Sequence, residues 1–170
     1  MNDAHLHMVV NHFPIIGTIL GIGILITGLL SKNDSVKNTA YVLFIIAAIF
    51  GILSMGTGEG AEEIVEDFPG IGKAIIHEHE ELAEKFALLL YVTAFFALIS
   101  IIASIKKFRL AKIFSLFTLI LALLSGIIAI YVGTTGGEIR HTEIREKDLS
   151  PLINTDSLSP EKLDIEMKEN

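Results

Sequence analysis

Four stretches without a single charged residue, 13–31, 38–58, 86–105 and 113–137, constrain this chain more than any motif it carries. Each is long enough to cross the roughly 30 Å hydrocarbon layer of a bilayer. In lipid a crossing segment must satisfy its own backbone polar groups, so each is expected to be a helix. The fold class that follows is all-α: an integral membrane four-helix bundle, antiparallel because the connections are short, occupying residues 1–141. The stretch 142–170, with Pro151 and Pro160 and no helix-length apolar face, reads as a polar tail outside the membrane. Nothing basic precedes the first apolar run, and no small-residue cleavage site stands in register. The first stretch is therefore expected to be a retained helix rather than a signal peptide.

Lysine and arginine orient the bundle. Lys32 and Lys37 lie between the first two stretches, and Lys106, Lys107, Arg109 and Lys112 between the last two. The connection starting at Glu59 is crowded with carboxylates. The basic loops are expected in the cytoplasm, with both termini and the acidic loop outside, in a bacterial inner membrane. The net charge of −7 argues against a nucleic-acid partner. With no cysteine, the chain can form no disulfide, thiolate metal site or covalent c-type haem link.

All six histidines, His5, His7, His12, His77, His79 and His141, flank the apolar stretches on the expected outer side. Imidazole is the commonest protein ligand for transition metals, so this clustering locates the candidate chemistry. Helical phase separates the candidates. With a helix starting near Gly72, His79 shares a face with Leu82, Ala83, Phe86 and Leu90, whereas His77 sides with Glu80, Glu81 and Glu84. On the first crossing Asn11 reads as a cap and Pro14 fits the first turn, which places His12 at the membrane boundary, facing the bundle. His5 and His7 lie on a short arm able to fold over the bundle mouth.

The chain also reads as a tandem two-helix repeat. His5-Leu6-His7 corresponds to His77-Glu78-His79, Gly51-Ile52-Leu53 to Gly126-Ile127-Ile128, and Gly58 to Gly133. Gly17, Gly21, Gly23 and Gly28 suit close helix packing. Gly56, Gly58, Gly60, Gly133, Gly136 and Gly137 are expected to unwind the outer helix ends.

The elements His7-x-x-x-x-His12-Phe13-Pro14-Ile15, Gly58-Glu59-Gly60-Ala61-Glu62-Glu63-Ile64-Val65-Glu66, the His79 helix and Gly136-Gly137 resemble a bacterial four-helix membrane family catalogued as domain-of-unknown-function family 2231. The resemblance covers roughly residues 5–141 and departs from the family pattern at Arg140-His141. Relatives of that family sit in chains with Rieske or cytochrome c domains, which implies a redox setting and carries over His7, His12 and His79.

Three functions remain open. In the first, b-type haem is held for electron transfer by His12 or His7 with His79, enclosed by Phe13, Ile16 and Phe86, with Arg140, Arg145 or Lys73 on its propionates. In the second, a copper, zinc or iron ion is held by some of His5, His7, His12, His77, His79, His141, Glu59 and Glu62. The third is a cofactor-free accessory subunit. Each places the chain in a lipid bilayer with a redox partner protein or a second copy. None is catalytic, since His77-Glu78-His79 lacks the spacing of zinc hydrolases and His77-x-x-Glu80 reverses the di-iron order.

Overall fold

The computed structural model describes residues 2–66, 68, 71–141, 144 and 145. Within them lie five helices and no strand: α1 (Asp3–Val10), α2 (His12–Leu30), α3 (Asp34–Val65), α4 (Lys73–Ile105) and α5 (Ala111–Arg140). Four apolar helical units are long enough to cross a membrane, α1 and α2 together forming the first. About a third of each apolar window is buried inside the bundle. The remainder is Ile, Leu, Val and Phe facing outward, which only a bilayer accommodates at this density. The chain is therefore an all-α, multi-pass membrane bundle.

Two helical hairpins build it. The most extensive seams are α2 with α3 and α4 with α5, and the hairpins join through α3–α4 and α2–α5. The turns that close them are alike. Among the described residues, Lys32 and Lys107 are the two non-glycine residues with positive φ, at 52° and 53°. In each turn the next residue's N–H reaches back across the helix end, Asn33 to the Gly28 carbonyl at 3.0 Å and Phe108 to the Ala103 carbonyl at 2.9 Å. This is a Schellman closure with lysine where glycine is usual, at roughly 1 kcal/mol of backbone cost. A cation beside the helix C-terminus offsets part of that cost. The matching turns give the tandem repeat a structural basis.

Small residues and hydroxyls line the interior, as expected where lipid removes the hydrophobic drive for helix association. Gly17 accepts Ala47, Gly21 lies under the Phe44 ring, and Gly28 meets the Lys37 backbone, so close packing of α2 on α3 explains three of the four glycines. Gly23 faces open space. Thr18 and Thr93, at corresponding places in the two halves, are fully buried. Each donates its hydroxyl to the carbonyl one turn back, on Pro14 and Leu89 respectively. Across helices, Thr93 meets Ser125 at 3.2 Å, Ser100 meets Thr118 at 3.0 Å, and the Tyr41 hydroxyl donates to Ser115 Oγ at 2.7 Å. Interhelical hydrogen bonds in bilayers average about 0.6 kcal/mol. Tyr41→Phe is accordingly expected to cost on the order of 1 kcal/mol in unfolding from detergent, with the fold unchanged.

Three local expectations are corrected. The outer-end glycines do not unwind: α3 stays helical through Gly56, Gly58 and Gly60, and α5 through Gly133, Gly136 and Gly137. Most of the acidic stretch continues α3 as helix, leaving the connection at 66–72. Asn11 is no side-chain cap; it adopts helical backbone between α1 and α2, and its Oδ1 is buried without a hydrogen-bond partner. The break there follows from Pro14, which removes the bond to the Val10 carbonyl and crowds that oxygen. Of the polar tail at 142–170, only Ile144 and Arg145 lie among the described residues. Arg145 donates from Nε to the Glu138 carbonyl at 2.7 Å and from Nη2 to that of Ile139 at 3.1 Å, closing the end of α5.

Candidate functional site

The His7 arm is a helix. Asn2 caps α1 by accepting from the His5 N–H at 3.0 Å, and the eight residues that follow lie against α3. Gly60 allows this approach, because a side chain there would collide with Asp3. His7 is thereby half-buried beside the C-terminal turns of α3, its Nδ1 3.1 Å from the Ser54 carbonyl and 3.2 Å from Thr57 Oγ1. Thr57 spends its own hydroxyl hydrogen on the Leu53 and Ser54 carbonyls. The Ser54 carbonyl can only accept, so a proton on Nδ1 satisfies both contacts and leaves the Nε2 lone pair unused by them.

The second half repeats the arrangement. His79, half-buried on α4, places Nδ1 3.0 Å from Thr135 Oγ1 on α5, with the Val132 carbonyl close enough to act on the ring. Thr135 is placed to donate its one hydrogen to the Tyr131 carbonyl at 3.1 Å, which leaves a lone pair for a proton on His79 Nδ1. The ring lies on Gly136, where an added Cβ would stand 3.0 Å from Cε1, while Gly58 stands against His7 at 3.9 Å. Geometry thus pairs Gly58 with Gly136, rather than with Gly133 as the sequence alignment has it. The two alignments differ by three residues, close to one helical turn, so both keep the same face.

Both imidazoles lie outside the uncharged crossings at 13–31 and 86–105. Burial pulls each below the ordinary histidine range. Nearby positive charge adds to the shift: His12 acts on His7, and His7 acts on His79. Carbonyl contacts oppose it, from Ser54 on His7 and from Val132 on His79. Positive charge on His7 thus disfavours protonation of His79.

The other candidates stand apart from this pair. His12 is exposed, its Nδ1 3.2 Å from the Met8 carbonyl, which corrects the inward placement. The buried face of α2 runs through Pro14, Gly17, Thr18 and Gly21, and a position two residues before Pro14 falls on the opposite side. Phe13 and Ile16 also face outward, Phe13 stacked on Phe50 at 4.4 Å. Phe86 is buried in the core with Leu90 and Val132, so these three side chains enclose no common space. His77 is exposed beside Glu81 at 3.3 Å and Glu80 at 3.8 Å. His5 and Glu59 are exposed, and Glu62 is half-buried on the next turn of α3. His141 ends α5, its N–H bonded to the Gly137 carbonyl. Arg140 lies over the Phe68 ring at 5.3 Å, and Lys73 pairs with Glu66 at 3.0 Å. Among the described residues, no three His, Asp or Glu side chains converge as a metal-binding group.

Sequence reasoning missed the residues that hold the rings, Ser54, Thr57, Val132 and Thr135. Their signal was the recurrence of Thr57-Gly58 as Thr135-Gly136. Comparison with family models, curated proteins and solved structures finds no match.

Proposed function

We propose that this membrane bundle binds b-type haem through His7 and His79 and serves electron transfer with a partner protein at its outer face. The observation that carries the reading is the matched pair of half-buried imidazoles, each held at Nδ1 and left with a free Nε2. A ligand histidine is normally oriented this way, by a hydrogen bond from its other nitrogen. The donor set fits haem better than a lone ion. Haem brings four equatorial nitrogens and asks only two axial ligands of the protein, whereas structural zinc asks for four protein ligands and catalytic zinc for three. When bound, haem supplies one-electron exchange between ferric and ferrous iron. The chain's own residues orient the rings, through Thr57 and Thr135. The family resemblance at His7, His12-Phe13-Pro14 and His79 supports the same redox setting.

Absorption spectra of the purified protein, oxidised and dithionite-reduced, test this. A Soret band with sharp reduced α and β bands is expected. Their absence, with copper, zinc or iron found by elemental analysis, replaces haem with an ion on the same pair. Absence of both leaves an accessory subunit and overturns the reading.

The proposal includes the bacterial inner membrane with the histidine end on the periplasmic side, supported by the lysines and Arg109 gathered at the opposite turns. A chain without cysteine makes the test clean. A single cysteine at Glu63 is expected to react with an impermeant maleimide on intact spheroplasts, and one at Lys107 only after lysis. The reverse pattern overturns the orientation.

A further inference from the structure

We propose that the outer end carries a duplicated imidazole cradle, in which Thr57 and Thr135 act as positioning residues that keep the His7 and His79 protons on Nδ1, with Gly58 and Gly136 beneath the rings. Its purpose rests on the ligand reading above; its geometry does not.

The two halves reach the same local chemistry through different sequence distances. Thr57 follows His7 by 50 residues and Thr135 follows His79 by 56. Even so, each ring meets a threonine hydroxyl, the carbonyl three residues before that threonine (Ser54 or Val132), and the glycine after it. Such a recurrence is not required for packing. Hydroxyls elsewhere in the bundle pair with other hydroxyls or with carbonyls of their own helix.

The polarity assigned to the cradle follows from the carbonyl partners of the two hydroxyls. A threonine hydroxyl has one hydrogen, and both threonines give it to helix carbonyls one turn back. What they offer the ring is a lone pair, as do the carbonyls. A histidine protonated only at Nε2 would turn its Nδ1 lone pair toward the carbonyl and oblige the threonine to give up its own carbonyl bond, so the cradle favours the Nδ1–H tautomer. Gly136 is part of the device, because any side chain there presses on His79 and lifts it from Thr135.

Solution NMR of the full-length chain in detergent micelles, with ¹⁵N-labelled histidine, reads the tautomer directly from the ring nitrogen shifts. His7→Gln and His79→Gln assign the two rings. In the wild type both are expected to show a protonated Nδ1 and an unprotonated Nε2. Thr135→Val is expected to move His79 toward averaged tautomers while His7 keeps its pattern, and Thr57→Val to do the reverse. An Nε2–H ring at either position in the wild type overturns the proposal, as do threonine variants that leave both rings unchanged. Failure of the haem reading is separable. A protein with these tautomers but no Soret band loses its haem assignment and keeps its cradle, whereas a Soret band with Nε2–H rings overturns the cradle alone.

Discussion

His79→Ala is expected to abolish the low-spin haem spectrum, and His7→Ala to do the same, while His12→Ala leaves it intact. The difference follows from where the three rings lie, although all three histidines flank the same end of the bundle. His7 and His79 are half-buried and present Nε2 with Nδ1 already bonded. His12 is exposed and turned back onto the Met8 carbonyl of its own segment. If the two rings hold haem as proposed, removing either would take away one of the two ligands the chain supplies, so the reduced α and β bands should disappear rather than weaken. Helical circular dichroism should be retained in all three variants, because neither His7 nor His79 belongs to the buried apolar clusters. Full retention of the bands in both His7→Ala and His79→Ala would sink the ligand assignment.

Gly28→Ala is expected to destabilise the bundle by about 2 kcal/mol, within the usual cost of overpacking. Gly23→Ala, five residues earlier on α2, should be neutral or stabilising by up to about 1 kcal/mol from helix propensity. A methyl group on Gly28 would stand 2.8 Å from the Lys37 backbone nitrogen and 3.2 Å from its Cα. Backbone in the first turn of α3 cannot rotate away as a side chain does, so α2 and α3 must separate beside their shared turn. At Gly23 the new methyl group meets nothing within 4 Å. Denaturant unfolding in detergent micelles, followed by circular dichroism, checks both. Equal effects of the two substitutions would mean that α2 does not pack on α3 through Gly28.

Periodicity carried further than motif reading in this chain. The division between His77 and His79 was legible because α4 is one regular helix from Lys73 onward, and a residue's face on such a helix follows from its number. For His12 the face was misjudged, because which side of α2 is buried was decided by its packing on α3 through Gly17 and Gly21, and His12 lies opposite that side. The glycines misled for a related reason. Their small size was visible, but whether it served an unwound end or a close neighbour depended on where Asp3 and the His79 ring came to rest.

Four charge-free lengths and the lack of lipid-tolerated alternatives to a helix were enough to determine an all-α membrane bundle, because that argument needs only chain composition and the cost of an unpaired peptide group. The repeat was visible as a weak echo, and its basic turns marked one end. Which histidines belong together was decided in three dimensions. His7 and Thr57 are 50 residues apart with all of α2 between them, and His79 and Thr135 are 56 apart on consecutive helices, so a hydrogen bond in either pair depends on how the helices pack rather than on any local spacing. The same packing turned His12 away and brought Thr57-Gly58 and Thr135-Gly136 under the two rings that remained.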